Sequence, residues 1–266
     1  MKAIIRWTLW DRRWFIFWWS LGIAGFMVIN LAFYPTFRAQ AAQLNQFLSH
    51  LSPATKSLIA GTGSFSTPED FLSGRVYYLM LPLLLIILSI NIGSSLIAKE
   101  ENNGTLELLL ARPISRVKLL LAKGIAGTVI LSIVSIVALV AALVVRYFVH
   151  IGVSVLNVEV ATLFAAIMGL LFGSLAFMIS TIGHTARAAS VGAAAFIALG
   201  SYLIVSLSSV VDWLRIPSKV LPNNYYRPND ILYGNYGWHN GVALLMVSII
   251  LAIISWRSFS NRDIGI

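Results

Sequence analysis

Long apolar runs separated by short polar segments dominate the pattern of the chain. A membrane-spanning helix needs about twenty apolar residues, and six runs approach or exceed that length. Pro82 lies inside the second run, where we expect it to kink the helix and free a carbonyl. The predicted fold class is therefore an all-α polytopic membrane protein with a single transmembrane domain, residues 1–266. The six predicted spans are residues 14–34, 77–98, 124–145, 160–182, 188–210 and 241–256, of which the last is the shortest.

The composition belongs to the same class. The chain is 58% hydrophobic and 11% charged, whereas soluble domains are about 25% charged. Its net charge of +9 does not lead us to expect a nucleic-acid partner, because basic residues of polytopic proteins collect in cytoplasmic loops. The absence of cysteine excludes disulfides and thiolate chemistry.

The basic residues predict the orientation. With the N-terminus inside, twelve of them fall in inner segments and seven in outer ones, so both termini should be cytoplasmic. The inner set is Lys2, Arg6, Arg12, Arg13, Lys99, Arg112, Arg116, Lys118, Lys123, Arg187, Arg257 and Arg262, and the outer set is Arg38, Lys56, Arg75, Arg146, Arg215, Lys219 and Arg227.

The segment before the first span, residues 1–13, is predicted to be an interfacial helix. Apolar residues, most of them tryptophans, recur there at three- and four-residue steps, while basic residues can face headgroups. The alternative is a basic flank that only sets orientation. We expect the run at 14–34 to be a span and not a cleaved signal, because it exceeds an ordinary signal core.

Two predicted outer loops, residues 35–76 and 211–240, are long enough to have structure. In the first, residues 41–51 have helical spacing, and a helix should begin at "STPEDF" with Thr67 as its N-cap and Pro68 in its first turn. In the second, rich in Pro, Asn and Tyr, we expect the aromatic side chains to rest at the outer membrane interface.

The spans carry no ionisable residue near their middles. Buried charges mark ion and proton pathways, so their absence weakens a mechanism coupled to ions or protons. Asn30, Asn91, Ser94 and Ser95 remain as polar groups. We interpret them as interhelical hydrogen-bonding groups, with Na⁺ coordination as the alternative.

Signatures of catalysis are equally sparse. There is no H-E-x-x-H, G-x-S-x-G or P-loop motif, and the four histidines lack metal-ligand spacing. "SRVK" matches S-x-x-K by letters, but Ser115 opens a predicted helix, so we interpret it as an N-cap. No catalytic, cofactor-binding or metal-binding residue is predicted, and an enzyme is not expected.

Small residues form smooth stripes in the fourth and fifth spans. They allow helices to approach closely. We expect packing within the protomer, and a dimer contact or a sliding helix pair is the alternative. The residues are Ala165, Gly169 and Gly173 in the fourth span and Gly192 in the fifth.

One charged segment interrupts the apolar pattern. It is the predicted inner hairpin 99–123, "KEENNGTLELLLARPISRVKLLLAK". Residues 105–111 form two predicted helical turns that Pro113 ends. Their leucines cannot be buried within so short a segment, and lipid headgroups, the ends of the bundle or a groove on a soluble partner could each cover them.

This segment resembles the signature of ABC-2-type transporter permeases: an acidic pair, Gly-Thr-Leu-Glu, leucines, proline, Ser-Arg and a lysine before the third span. The N-terminal amphipathic segment is similar to the elbow helix of that family, and the tail at 257–266, ending "FSNRDIGI", is similar to the tails of these subunits.

The resemblance implies an ATP-driven exporter subunit without its own ATPase site, paired with a second copy or a sibling subunit in a bacterial or archaeal cell membrane. ATP and magnesium would bind to a separate ABC ATPase, and residues 105–111 would be the coupling helix that contacts it. The implied contact residues are Glu100, Glu101, Gly104, Thr105, Leu106, Glu107, Leu109, Leu110, Pro113, Ser115 and Arg116.

Other classes stay open on the residues alone. A self-sufficient carrier or channel would work without ATP, and a membrane anchor would recruit an ATPase for a role other than export. An intramembrane enzyme would need a catalytic cluster. Apolar walls favour an amphiphilic or hydrophobic cargo, such as a peptide, lipid or drug.

Overall fold

The computed structural model describes residues 1–59, 67–97, 115–182 and 187–261, and their regular structure is helical. Six of these helical segments are long and apolar enough to cross a membrane, which confirms the predicted fold class. The helices are α1 (Lys2–Asp11), α2 (Arg13–Ala32), α3 (Tyr34–Ala39), α4 (Ala41–Ser49), α5 (Pro53–Ile59), α6 (Pro68–Leu72), α7 (Met80–Ser95), α8 (Arg116–Val149), α9 (Val155–Thr181), α10 (Arg187–Leu207), α11 (Arg215–Ser218), α12 (Pro228–Leu232) and α13 (Trp238–Asn261).

The bundle has two distinct ends. The terminal end holds α1, the start of α8 and the end of α13. The loop end holds α3 to α6, α11 and α12. Helices α7 and α9 form the centre, with more than half of their apolar windows buried, whereas α2, α10 and α13 are mostly exposed at the periphery. Peripheral apolar faces of this kind are expected where lipid is the solvent.

The second span begins earlier than its apolar run. Helix α6 continues through a π-helical turn, Ser73–Tyr77, and reaches α7 by way of Leu79, whose backbone departs from helical geometry at φ −126°. Pro82 lies in the first turn of α7, so the irregularity precedes the proline by about one turn. The missing N–H of Pro82 cannot bond to the carbonyl four residues earlier, which contributes to the break.

Helices α8 and α13 also outlast their apolar runs. Helix α8 starts at Arg116 and reaches Val149, and α13 covers 24 residues although only 241–256 are continuously apolar. Helical hydrogen bonding continues into polar residues at the membrane surface, where hydropathy alone places a boundary too early.

Two predicted N-caps are confirmed. The Thr67 side chain accepts from the backbone N–H of Asp70, with Pro68 in the first turn. The Ser115 side chain accepts from the backbone N–H of Lys118 at the start of α8. Each hydroxyl satisfies an N–H that the helix leaves without a partner.

The prediction for the aromatic residues of the second loop is wrong in part. Tyr226 is buried, and its hydroxyl donates to the Tyr77 carbonyl at 2.7 Å. Tyr236 donates to Asn157 Oδ1 at 2.8 Å. These rings hold the loop onto the bundle because their hydroxyls donate to the Tyr77 carbonyl and to Asn157 of α9, whereas Trp213 does remain exposed.

Candidate functional site

Helices α7 and α9 make the closest helix contact that involves the predicted small-residue stripe. A Cβ atom on Gly169 would lie 3.1 Å from the Leu85 carbonyl oxygen, and one on Gly173 would lie 2.8 Å from Ser89 Cβ. A Cβ atom on Gly93 would clash with the Gly173 carbonyl oxygen. Only glycine permits this approach, so the two backbones pack directly against each other.

The four predicted packing residues therefore lie in different surroundings. Ala165, Gly169 and Gly173 are buried on the face of α9 that meets α7. Gly192 is exposed on α10, and no described atom lies within 4 Å of a Cβ atom added there. The first three serve packing inside the chain, and Gly192 contributes to an open surface.

At the terminal end, basic side chains from two elements bond to α7. Arg12, between α1 and α2, donates to Ser95 Oγ at 2.8 Å. Arg187, at the start of α10, donates to Asn91 Oδ1 at 3.3 Å. Both acceptors lie in the last turns of α7, where a helix favours positive charge. Helix α7 is thus tied to its neighbours just before the chain enters residues 98–114.

The interpretation of the polar span residues is confirmed for only two of them. Asn91 and Ser95 accept from other elements, as described above. Asn30 instead donates to the Phe26 carbonyl, and Ser94 donates to the Asn91 carbonyl. In an apolar span, a polar side chain can bond to its own helix backbone without any partner helix, which the sequence could not distinguish.

A buried cation also belongs to the terminal end. Lys123 of α8 is 4% exposed, and its Nζ lies 5.1 Å from the centre of the Trp7 ring. This contact fixes α1 against α8. Helix α1 (Lys2–Asp11) lies within the predicted interfacial segment, and its exposed Trp7 and Trp10 suit a membrane surface.

Between α7 and α10 lies an apolar slot of about 240 Å³. Its walls are aliphatic over most of their length, and polar residues appear at the loop end. There Tyr78, Tyr202 and Asn223 line the slot, and an adjoining polar pocket adds Asn224 and Arg227. The slot thus combines an apolar body with a polar mouth, the form that an amphiphile requires.

Two hydrogen bonds join α5 to the mouth of the slot. Tyr78 donates its hydroxyl proton to the Ser57 carbonyl at 2.6 Å, and Tyr202 donates to the Leu58 carbonyl. The two rings meet edge to face at 6.1 Å. We call this pair, Tyr78 and Tyr202, the tyrosine clasp. It holds the first loop over the slot.

A second loop segment joins the same mouth. Ser201 of α10 donates to Asn223 Oδ1 at 2.9 Å. Nearby, burial raises the pKa of Tyr226 well above its usual value, and the neighbouring Tyr77 adds to the shift, so the Tyr226 hydroxyl remains a donor. Sequence reasoning missed the clasp and Asn223. The available signal was the placement of tyrosines at span ends beside loops rich in proline and asparagine.

Most of the predicted ATPase contacts lie outside the described residues. Of that set, the structure describes Ser115, the N-cap of α8, and Arg116, the first residue of that helix. Outside the description fall Glu100, Glu101, Gly104, Thr105, Leu106, Glu107, Leu109, Leu110 and Pro113. Within the described ranges, no three metal-ligating side chains come together as a metal site.

Six apolar helices, two of which form a glycine-packed central pair, define a multi-pass membrane protein. A family model described as ABC-2 family transporter protein matches residues 19–264. The chain belongs to this family of transporter proteins. No curated protein matches it significantly. The resemblance of the hairpin to permeases is thereby confirmed at the level of the family.

Proposed function

We propose that the chain is the permease subunit of an ATP-driven exporter in a bacterial or archaeal cell membrane. A separate ABC ATPase binds ATP and magnesium and contacts residues 99–116 at the terminal end, which faces the cytoplasm. The cargo is an amphiphile that moves along the slot between α7 and α10. Family membership supports a permease, and the remaining steps rest on the arrangement of the helices.

The observation that carries the proposal is the position of α7. This helix leads directly into the segment with the predicted coupling helix, its backbone lies against α9, and its other side lines the slot. A push on the coupling segment would therefore move α7 and α9 as one body, because close-packed helices shift as units. The motion would change the width of the slot and strain the tyrosine clasp at its mouth.

A second membrane subunit completes this arrangement. Helix α10 forms one wall of the slot and is otherwise mostly exposed, with Phe196 79% exposed beside the open surface at Gly192. In a pair of two copies, or of this chain and a sibling subunit, two such faces would enclose the cargo path. Helices α7 and α10 of one subunit surround that path only in part. Small residues permit this close approach.

The test is reconstitution of the chain, with and without its partner ATPase, into lipid vesicles. A dansyl-labelled amphiphile serves as the cargo probe. We expect ATP-dependent movement of the probe only when both proteins are present. Movement without ATP would identify a self-sufficient carrier, and ATPase binding without any movement would identify an anchor.

A further inference from the structure

A long furrow crosses the bundle on the side away from the slot. Helix α13 packs along α9 and only sparsely against α8, so a gap remains between α8 and α13 with α9 as its floor. Two cavities of about 290 and 280 Å³ lie in this gap. They share Thr128, Leu131, Leu170 and Leu245 and therefore form one furrow.

The furrow runs across most of the hydrocarbon layer. Its ends on α13 are Trp238 and Trp256. At 1.5 Å per residue these positions are ~27 Å apart, compared with ~30 Å for a bilayer core. Tryptophans at the two ends match the headgroup levels, where membrane proteins concentrate them.

The walls offer an occupant almost no hydrogen bonds. Thr128, Ser132 and Ser248 each donate to a carbonyl of their own helix, at 2.9–3.2 Å. Ser89 lies at the floor, and its buried Oγ has no partner within the described part of the chain. The remaining lining is mostly aliphatic. A hydrocarbon chain fits such walls, and an empty furrow would lose their dispersion contacts.

An extended acyl chain can enter the furrow from the surrounding lipid, because the furrow lies between two spans and its lining is almost entirely apolar. A helix of a second copy is the competing occupant, and the test below separates the two.

Charge selects the headgroup. Helices α8 and α13 contain no acidic residue, and Lys118 and Arg257 are exposed on these helices near the terminal end, Arg257 directly after the lining residue Trp256. A basic residue near a membrane surface strengthens binding of an anionic lipid by about fivefold. We propose that the furrow binds an acyl chain of an anionic phospholipid, with the lipid phosphate at the terminal end beside these two side chains.

The proposal requires only that the helices span a membrane, so it stands or fails independently of ATP-driven export. The test uses the full-length chain in lipid nanodiscs. The probe is phosphatidylglycerol with a photoreactive diazirine on one acyl chain, and phosphatidylcholine with the same chain is its comparison. After irradiation, mass spectrometry maps the labelled residues.

With the phosphatidylglycerol probe, we expect at least fivefold more labelling at the furrow walls than around Ile136. Ile136 is a 58% exposed residue of α8 that lies outside the furrow. Combined K118Q and R257Q should lower that labelling at least fivefold. Ala252→Phe, which fills the furrow, should abolish it, and the matched Ile136→Phe should not change it. The milder Ala252→Leu is the substitute if the first variant does not fold.

Equal labelling inside and outside the furrow would mean that the furrow is ordinary lipid-facing surface and not a binding site. Equal labelling by the two lipids would overturn the headgroup assignment. Because the chain has no cysteine, a single Ile249→Cys variant gives a clean test of the competing occupant. Efficient disulfide formation between two copies at that position would show a second subunit in the furrow and end the proposal.

Discussion

Ser89 of α7 lies against Gly173 of α9 so closely that a Cβ atom on the glycine would stand 2.8 Å from the Ser89 Cβ. This distance is well inside van der Waals contact. The two central helices therefore meet backbone to backbone, and the stability of the bundle depends on the absence of a side chain at this position.

We expect Gly173→Val to destabilise the folded bundle by about 1–3 kcal/mol, because the added methyl groups must push α7 away. The measurement is thermal unfolding in detergent, followed by circular dichroism. Gly22→Ala is the matched control: this glycine also lies in a span, and among the described residues no atom lies within 4 Å of an added Cβ atom. Its replacement should be neutral or stabilising by up to ~1 kcal/mol. Equal effects of the two changes would contradict the close contact.

The tyrosine clasp should control access to the mouth of the slot. Tyr78→Phe combined with Tyr202→Phe removes both hydroxyl donors to α5, each worth about 1 kcal/mol. The buried Ser57 is replaced by cysteine as a reporter, and we expect a maleimide to label it several-fold faster in the double variant. Tyr147→Phe, at a 74% exposed tyrosine, should leave the rate unchanged. A labelling rate that is equally slow in the double variant would mean that the clasp does not hold the loop.

The buried cation–π contact should be stronger than the exposed one. A double-mutant cycle with Trp7→Leu and Lys123→Met should give a coupling free energy of about 2 kcal/mol, since the ammonium group is desolvated. The same cycle on Trp10 and Arg13 should give only ~0.5–1 kcal/mol, although the Arg13 guanidinium lies nearer its ring, 4.5 Å against 5.1 Å. Chemical unfolding measures both cycles. If the exposed pair gave the larger value, distance and not burial would govern these contacts.

The proposed coupling helix predicts an uncoupled variant. We expect Leu109→Glu or Gly104→Glu to abolish probe movement in vesicles, because a charge would be placed where an apolar anchor or a tight turn is needed. Membrane insertion should be normal. Gln43→Glu, which adds a charge at an exposed position of α4 in the first loop, serves as the control. Full transport and full ATPase binding by both coupling variants would refute the assignment.

The open face of α10 predicts a contact between subunits. In a chain without cysteine, Gly192→Cys should form a disulfide-linked dimer under mild oxidation if the two faces meet, because a disulfide requires the two Cα atoms to lie within about 7 Å. Ile136→Cys, on a different helix face, should remain monomeric in the same gel assay. The reverse pattern would place the subunit contact on α8.

Local chemistry explains why some elements could be predicted. Thr67 and Ser115 cap helices because a hydroxyl next to a free N–H needs no distant partner, so their roles follow from neighbours in the chain. The boundaries of α7 and α13 were harder to predict. Hydropathy indicates which residues contact lipid. Helix α13 nevertheless begins at Trp238, and the second span continues through the π turn at Ser73–Tyr77, because backbone hydrogen bonds extend beyond the apolar residues.

The sequence by itself determined that this chain crosses a membrane six times as helices, since in lipid every backbone polar group must be satisfied within its own segment. Which small residues pack was decided only by the tertiary structure. Gly173 and Gly192 are alike in the sequence, yet one meets Ser89 and the other meets no atom of the described residues. The slot, the tyrosine clasp and the furrow arise likewise from helices far apart in the sequence. Between apolar faces of nearly equal hydropathy, shape alone selects the partner.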